Sequence, residues 1–413
     1  MNLLTIMKQT NWGKYKFRIL MIFILVTAVS GLVKANDKKS SLTELWSKEF
    51  LNLIQTVSLK LDKNGALESV SVQTSDENKC AKIHYLDGNG KTVNEKNIAQ
   101  KERAFLLPDG KWVFDSEEWT HTKVKKRFAN GKTKNIFVAK GERNIRIEDS
   151  NGNLVENKAV INSVSRQGDL FFSNDGSICF VRDYADEGIV GGYEIYGQNG
   201  ILMAKEENPK DAADHVFFSP DSQYVGFCVG DKLILLNRNG QKVFEYKFEV
   251  FDKRFGPGIE QCGFSKDGTK IVILSRTNLI VLSKNGDVLA KTSLPQPSVG
   301  NPRFLFLNNE IVFNDASSIW TVDSQFKLKL VKKLGDIGVI FRTDQIEITS
   351  MGVIDQNIVA ALWGKYAGCS IVVLNRNGDV LETKGLANPG YITTKGNYLA
   401  VQSKGSVSLF RVE

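Results

Sequence analysis

The sequence predicts an all-β protein assembled from repeated four-stranded antiparallel sheets. Short β-branched runs, tight-turn signals between them and the return of this pattern along the chain support that fold class. The segment Cys262–Leu294 shows the pattern most clearly. Within it, Ile271–Leu274 is apolar at consecutive positions and too short for a helix. Such a strand has both faces buried, so each sheet is expected to lie between two others.

Turn signals separate the strands of this unit. Asp267-Gly268 precedes the second strand, and Asn285-Gly286 precedes a more polar fourth strand. Asn-Gly is the strongest short hairpin signal, because a type I′ turn requires positive φ at both of its central residues. Asp and Gly likewise favour the dihedral angles of tight turns. The unit is therefore interpreted as four strands joined by tight connections.

The first turn of this unit recurs along the chain. Its eight markers are Asn64, Asp109, Asp175, Asp221, Asp267, Asn308, Gln356 and Lys395. The intervals between markers run from 39 to 48 residues, apart from one of 66 after Asp109. A period of about 40 to 50 residues with four strands per repeat is typical of a β-propeller blade. The sequence therefore predicts a propeller of eight blades, with seven as the alternative.

The two ends of the chain predict how the ring closes. The last unit has only three strands and ends at Val412, whereas the chain starts with a spare strand, Leu45–Phe50. We expect this strand to pair with Val407–Val412, because closure removes open sheet edges. The alternative is a short helix that a capping box of Ser41 and Glu44 would open. The strand is preferred because it completes the eighth blade.

The repeat also resembles a known family. Phe-Ser-x-Asp-Gly before an apolar strand, as in Phe264–Gly268, and Asn-Gly before a polar strand are similar to the WD40-like propeller repeats of exported bacterial proteins. These include the Tol-system periplasmic propellers and quinoprotein-like propellers. The resemblance covers residues 44–413 and implies the fold. No unit ends in Trp-Asp, and the chain lacks the vicinal Cys pair and repeated Trp of quinoprotein enzymes, so no cofactor is expected.

The N-terminal segment has the features of a signal peptide. A basic start precedes an uncharged run of 15 residues, Ile19–Val33, which is shorter than the roughly 20 residues that span a bilayer. We expect residues 1–35 to be removed, leaving a linker at 36–43 and one propeller domain at 44–413. The protein is then exported, to the periplasm or the medium. The alternative is an uncleaved membrane anchor with the propeller facing outward.

The charge balance argues against a nucleic-acid-binding protein, and the cysteine spacing argues against a cysteine metal site. The chain has 54 basic and 46 acidic residues, and five of the basic ones lie in residues 1–35, so the remainder carries a net charge of only +3. That balance predicts no nucleic-acid partner. The five cysteines lack metal-ligand spacing and are expected to be small buried apolar residues. They are Cys80, Cys179, Cys228, Cys262 and Cys369.

The longer connections are expected to lie on one face of the ring. Hairpins between first and second strands and between third and fourth strands are short, whereas the other connections vary, and variable loops on a rigid scaffold commonly bind partners. The candidate binding residues are Trp119 and His121 in an insertion of the second unit, Tyr184 and Asp186 in the third, Arg254 before the fifth, and Trp363 and Tyr366 in the seventh. A solvated loop or packing between blades is the alternative for each.

These observations predict a non-enzymatic binding or scaffold propeller with a protein or glycan partner on the variable-loop face. No catalytic motif and no metal-ligand spacing occurs, so no catalytic residue and no metal is predicted. The alternative is a hydrolase or lyase that acts on a glycan or other anionic substrate at the channel mouth. Converging carboxylates, His or Arg there would favour the enzyme, whereas an aromatic patch would favour the binder.

Overall fold

Eight four-stranded antiparallel sheets follow one another along the chain, and seven of them consist of four consecutive strands. The computed structural model describes residues 42–412 with short gaps. The gaps are 51, 76–80, 100–101, 108, 128–132, 150–151, 161–168, 183–191, 198–199, 207–212, 249–257, 296–302, 309, 316–317, 337–345, 365–367, 387–389 and 404. The eighth sheet joins the first strand to the last three, so the prediction of eight blades is confirmed and the alternative of seven is wrong.

The first four blades contain strands β2 to β17. Blade 1 is β2 (Leu53–Leu61), β3 (Leu67–Ser75), β4 (Ala81–Asp87) and β5 (Thr92–Ile98). Blade 2 is β6 (Glu102–Leu106), β7 (Trp112–Arg127), β8 (Thr133–Glu148) and β9 (Leu154–Val160). Blade 3 is β10 (Asp169–Phe172), β11 (Cys179–Arg182), β12 (Tyr193–Tyr196) and β13 (Leu202–Glu206). Blade 4 is β14 (Ala213–Phe218), β15 (Tyr224–Val229), β16 (Lys232–Asn237) and β17 (Lys242–Lys247).

The other four blades contain β18 to β32 and β1. Blade 5 is β18 (Ile259–Phe264), β19 (Lys270–Ser275), β20 (Asn278–Ser283) and β21 (Val288–Ser293). Blade 6 is β22 (Phe304–Leu307), β23 (Glu310–Asn314), β24 (Ser318–Val322) and β25 (Leu328–Lys333). Blade 7 is β26 (Ile346–Ile354), β27 (Asn357–Gly364), β28 (Gly368–Leu374) and β29 (Val380–Leu386). Blade 8 is β30 (Tyr391–Lys395), β31 (Tyr398–Ser403), β32 (Ser406–Val412) and β1 (Leu42–Glu49).

Consecutive apolar residues let each middle strand fill two cores. All four residues of Ile271–Leu274 have no exposed surface. Ile271 and Ile273 pack into the cluster shared with blade 4, and Val272 and Leu274 pack into the cluster shared with blade 6. The prediction that both faces are buried is confirmed, and the cores of this ring lie between neighbouring blades.

Strand β1 closes the ring. It pairs antiparallel with β32, from Leu42 opposite Val412 to Glu49 opposite Ser406, with a bulge between Glu44 and Trp46. The alternative of a helix over this segment is therefore wrong, and the strand begins at Leu42 rather than at the predicted Leu45. Trp46 also ties blade 8 to blade 1, because its indole Nε1 donates to the carbonyl oxygen of Gly88 at 3.1 Å.

The turns lie where they were predicted, but the type I′ conformation expected at Asn285-Gly286 is wrong, because only Gly286 of the two residues has a positive φ. In blade 5 the Asp267 carboxylate accepts hydrogen bonds from the Ser265 hydroxyl at 2.5 Å and from the main-chain N–H of Thr269 at 3.0 Å. These bonds, led by the one from Ser265, lower the pKa of Asp267. Gly268 and Gly286 have φ values of 69° and 95°, a region that L side chains rarely adopt. The positive φ explains why glycine follows Asp or Asn at these turns.

The cysteines are small buried residues, as expected. Cys179, Cys228, Cys262 and Cys369 are all buried as thiols, while Cys80 lies outside the described residues. The Sγ atoms of Cys228 in blade 4 and Cys262 in blade 5 lie 3.9 Å apart.

Candidate functional site

The two faces of the ring differ in their connections. Hairpins between first and second strands, and between third and fourth strands, span two to six residues and form the hairpin face. The other connections form the loop face and range from two residues between β15 and β16 to 12 residues between β25 and β26. Length variation therefore lies on the loop face.

Blade 2 departs most from the common blade. Strands β7 and β8 each have 16 residues, and their register is continuous from Trp112 opposite Glu148 to Arg127 opposite Thr133. Strand β6 pairs with β7 only as far as Ser116. The predicted insertion thus lengthens the second and third strands into a two-stranded ribbon on the loop face. We call residues 117–127 and 133–142 the arm.

The first strands of the blades line the centre of the ring. Neighbouring first strands contact one another, as β10 contacts β14 and β14 contacts β18. Each first strand begins at the loop face, and five of them carry a carboxylate at the first or second position. These residues, which we call the mouth carboxylates, are Glu102, Asp169, Asp214, Glu260 and Glu347.

Register shifts occur in several first strands close to the same end. The pairing of β2 with β3 shifts around Gln55, that of β14 with β15 around His215, that of β18 with β19 around Glu260, and that of β26 with β27 around Thr349. A bulge re-aims the side chain of the extra residue and bends the strand. The bulges therefore place polar residues at the mouth, where an unbroken strand would follow strict alternation.

Arg182 connects two mouth carboxylates. Its guanidinium contacts Asp169 in its own blade and donates to Asp214 of blade 4 at 2.6 Å. In blade 5, Arg276 Nε donates to Glu260 at 3.0 Å. Planar guanidinium groups bind carboxylates with more geometric specificity than lysines do. These pairs neutralise part of the negative charge at the mouth, and the pair of Arg182 with Asp214 also links blade 3 to blade 4.

His215 lies in the bulge of β14 with a left-handed backbone, φ 51°. Burial lowers its pKa, although the nearby carboxylates of Asp214 and Glu260 oppose that effect, and its ring hydrogen-bonds the main chain of Ile259. The imidazole is therefore neutral at pH 7. Left-handed backbone in a non-glycine residue costs free energy and is often found at functional sites.

Ion pairs fix the base of the arm. Asp115, which has no exposed surface and directly precedes Ser116, accepts from Arg103 at 2.6 Å. On the side that faces blade 1, the Arg146 guanidinium lies 4.3 Å from the centroid of the Phe114 ring and contacts the carboxylate of Glu102. Breaking a buried ion pair is costly because it leaves a charge without its partner. The arm thus rises from a rigid base.

The structure describes three of the seven predicted site residues. Trp119 and His121 lie in β7 within the arm, opposite Gly141 and Ala139, and only their main chain is described. Trp363 is half-buried in β27, opposite the exposed mouth carboxylate Glu347. The other four candidates fall outside the described residues. They are Tyr184, Asp186, Arg254 and Tyr366.

The mouth carboxylates were not among the site residues predicted from the sequence. The signal was available as a charged residue at the start of successive first strands, for example Glu102, Asp169 and Glu347. The arginines that pair with them were not recognisable, because Arg182 and Arg276 lie at the ends of second strands or just beyond them. Within the described residues, no group of three or more His, Cys, Asp or Glu side chains is arranged to hold a metal ion. No helix there is long and apolar enough to cross a bilayer.

The ring of eight four-stranded blades, closed by strands from both ends of the chain, defines a β-propeller. Among solved structures it is similar to the C-terminal WD40 domain of Sif2, with TM-score 0.53 and 12% identity over 91% of this chain and 100% of that one. It is also similar to Chaetomium thermophilum Sqt1 bound to the N-terminus of the ribosomal protein L10, with TM-score 0.54, 11% identity and the same shares covered. These similarities show the fold.

No family model matches the chain, and no curated protein matches it. Its resemblance to the repeats of exported bacterial propellers therefore stays a prediction.

Proposed function

We propose that this protein is an exported, non-enzymatic binding propeller that holds a protein partner on its loop face. The observation that carries this proposal is the contrast between the faces. The hairpin face repeats short turns from blade to blade, whereas the loop face bears the arm and the mouth carboxylates. Sqt1, which has the same fold, is bound to the N-terminus of another protein. A peptide-binding propeller is therefore a physical precedent for this role.

The chemistry at the mouth supports binding over catalysis. Asp169, Asp214 and Glu260 pair with arginines of this chain, so their charges serve to connect strands and blades. Carboxylates that are held by arginine side chains suit a polar recognition surface.

Photo-crosslinking from the two faces tests this function. A benzoylphenylalanine is placed at Tyr391, which is 59% exposed at the start of β30, and in a second variant at exposed Asn285 in a turn of the hairpin face. Both variants are irradiated in cells and followed by the mass of the adducts. We expect a protein adduct from position 391 and none from position 285. Adducts from position 285 alone would overturn the proposal.

One observation favours a second function, a hydrolase or lyase acting on an anionic glycan. Asp214, Glu260 and neutral His215 converge at the mouth, which is the arrangement named above for an enzyme. Reducing-end assays on acidic polysaccharides, run with His215→Gln and Glu260→Gln, decide the matter. Turnover that both variants abolish establishes the enzyme, and no turnover by the parent protein rejects it.

A further inference from the structure

The arm has two open edges. Pairing of β6 with β7 ends at Ser116, and pairing of β8 with β9 ends at Arg143. Beyond these residues no other strand in the described part of the chain pairs with either edge of the arm. An open edge presents a row of main-chain N–H and C=O groups that can pair with another extended chain. A two-stranded ribbon is only marginally stable alone, so a third strand would stabilise the arm.

The arm is basic beyond its base. Its described positions contain six Lys or Arg residues, and its three glutamates, Glu117, Glu118 and Glu142, all lie at the base. Four of the six lie consecutively or nearly so at Lys123–Arg127, on the β7 edge, and the side chain of Lys125 is exposed. The remainder of the chain after residue 35 is nearly balanced, so this charge is local. It favours an anionic occupant of the β7 edge.

The sign of the charge also changes along the arm, from negative at its base to positive near its tip. At its base Glu118 stands opposite Glu142, whereas near its tip Lys126 stands opposite Lys134. Like charges on directly opposed strand positions repel one another. A long uniform polyanion would relieve only one of these two repulsions and would meet the carboxylates at the base.

Three aliphatic residues and a threonine lie between these charged pairs and further restrict the kind of partner that fits the arm. Val124 stands opposite Ile136, and Thr122 stands opposite Val138. These four positions share one face of the ribbon, because directly opposed positions share a face and so do positions two apart in a strand. A peptide with alternating acidic and apolar residues has its acidic positions on the face of positions 123, 125 and 127 and its apolar positions on the face of positions 122 and 124. Nucleic-acid and glycan backbones supply no apolar side chains.

We propose that the β7 edge of the arm captures an extended acidic segment of a protein partner by β-strand addition. Main-chain hydrogen bonds to the open edge supply affinity, and Lys123–Arg127 select acidic side chains. At about 3.4 Å per residue, this basic stretch matches roughly five partner residues, about 17 Å of extended chain. The proposal deepens the function given above and rests on its assignment of binding to the loop face.

The test uses the full chain and a fluorescent peptide, Glu-Val-Glu-Val-Glu-Thr-Lys, in anisotropy titrations. The arm variant replaces Lys123, Lys125, Lys126 and Arg127 by Gln. The matched control replaces Lys327, Lys329, Lys332 and Lys333 by Gln, which removes the same charge around β25, an outermost strand. We expect the arm variant to bind at least tenfold more weakly and the control to bind within twofold of the parent. Equal weakening by both variants overturns the proposal.

N-methylated peptides separate strand addition from charge attraction without altering the protein. One peptide is methylated at its odd residues and the other at its even residues. In strand addition only alternate N–H groups of the peptide face the arm, so one peptide should lose at least tenfold in affinity and the other less than threefold. Equal binding of the two peptides overturns the proposal.

Two further outcomes complete the test. Arm-dependent binding of heparin or of a single-stranded oligonucleotide, with no binding of the peptide, replaces the proposed occupant by a polyanion and overturns the inference. If no peptide binds while position 391 still crosslinks to a protein, this inference fails and the binding function stands. Crosslinks from position 285 alone remove the function itself, which makes the two failures distinguishable.

Discussion

Removing the closing strand tests how the ring is held together. Deleting residues 36–50 removes β1 from blade 8, so the outer edge of β32 loses its seven paired positions. The deletion also withdraws Trp46, whose ring lies so close to Gly90 that a Cβ added there would sit 2.7 Å from it. Blade 8 would then have three strands and a poorly covered contact with blade 1.

The magnitude follows from these contacts. Several lost ladder hydrogen bonds cost about 0.5–1.5 kcal/mol each. Exposing most of one aromatic side chain costs about 1.5–3 kcal/mol. The sum is roughly 5 kcal/mol or more, which is a large part of the roughly 5–15 kcal/mol that keeps a typical domain folded. We expect the melting temperature to fall by at least about 5 °C, and the exposed edge to promote aggregation.

Thermal unfolding followed by circular dichroism measures the effect, with light scattering for aggregation. Two point variants separate the contributions. Trp46→Ala should reproduce part of the loss, whereas Ser47→Ala, which removes only an exposed hydroxyl contact with Ser408 at 2.9 Å, should melt within about 1 °C of the parent. A deletion variant that melts within a degree or two of the parent would refute the closure argument.

Four further outcomes are expected. Intact mass spectrometry of natively expressed protein should show residues 1–35 removed and the protein outside the cytoplasm; an unprocessed cytosolic chain contradicts this. Trp363→Ala should reduce crosslinking from position 391 with only a modest drop in melting temperature, since the side chain is half-buried; unchanged crosslinking argues against its role. Asp267→Ala should destabilise the protein at pH 7, and the difference should shrink as the pH falls from about 4 through the lowered pKa of Asp267, because a carboxylate with a depressed pKa loses its stabilising effect on protonation; a pH-independent difference contradicts it. Oxidised glutathione should leave Cys228 and Cys262 reduced although their Sγ atoms lie 3.9 Å apart, because both thiols are buried and burial raises the pKa of Cys262, so little thiolate is available to attack, and thiol titration after unfolding should show no loss; a loss of two thiols contradicts it.

Local rules explain why the fold was predictable. A turn that ends in a left-handed glycine, as at Asn285-Gly286, and an Asp-capped turn at Asp267 depend on dihedral preferences of a few residues, so they are visible in any copy of the repeat. Burial on both faces follows from consecutive apolar residues such as Ile271–Leu274 without knowledge of the neighbouring sheet. Closure by β1 could be inferred from counting, since the last blade lacked one strand.

The acidic residues at the starts of first strands were visible in the sequence, but their arrangement at the mouth was not predictable, because it depends on register. Glu260 and His215 look like ordinary strand residues, and nothing local indicates that the pairing shifts by one position at each of them. A bulge arises where the inner strand must bend to follow the ring, so it is a property of the closed structure. The pairing of Arg182 with Asp214 joins two blades and likewise needs the ring to be formed.

The arm was predictable from the sequence only in part. Its sequence predicted an insertion with its own hairpin, and its β-branched and alternating residues, such as Thr120, Thr122 and Val124, favour strands. The insertion continues β7 and β8 without a break in their register. It therefore forms a two-stranded ribbon on a rigid base instead of a separate loop. Asp115 and Arg103 anchor that base, and the contacts of Arg146 with Phe114 secure the side towards blade 1.

Turn chemistry explains why recognition is assigned to one face. On the hairpin face, carboxylate or amide oxygens of residues such as Asp87, Asn237 and Asp323 accept the main-chain N–H groups of their own turns. These side-chain oxygens are thus needed to stabilise the turns, and replacing the residues that carry them would destabilise the turn in each blade. The loop face carries no such repeated requirement, so its connections can lengthen, as in the arm, without disturbing the cores between blades. New binding chemistry is therefore tolerated there and opposed on the other side.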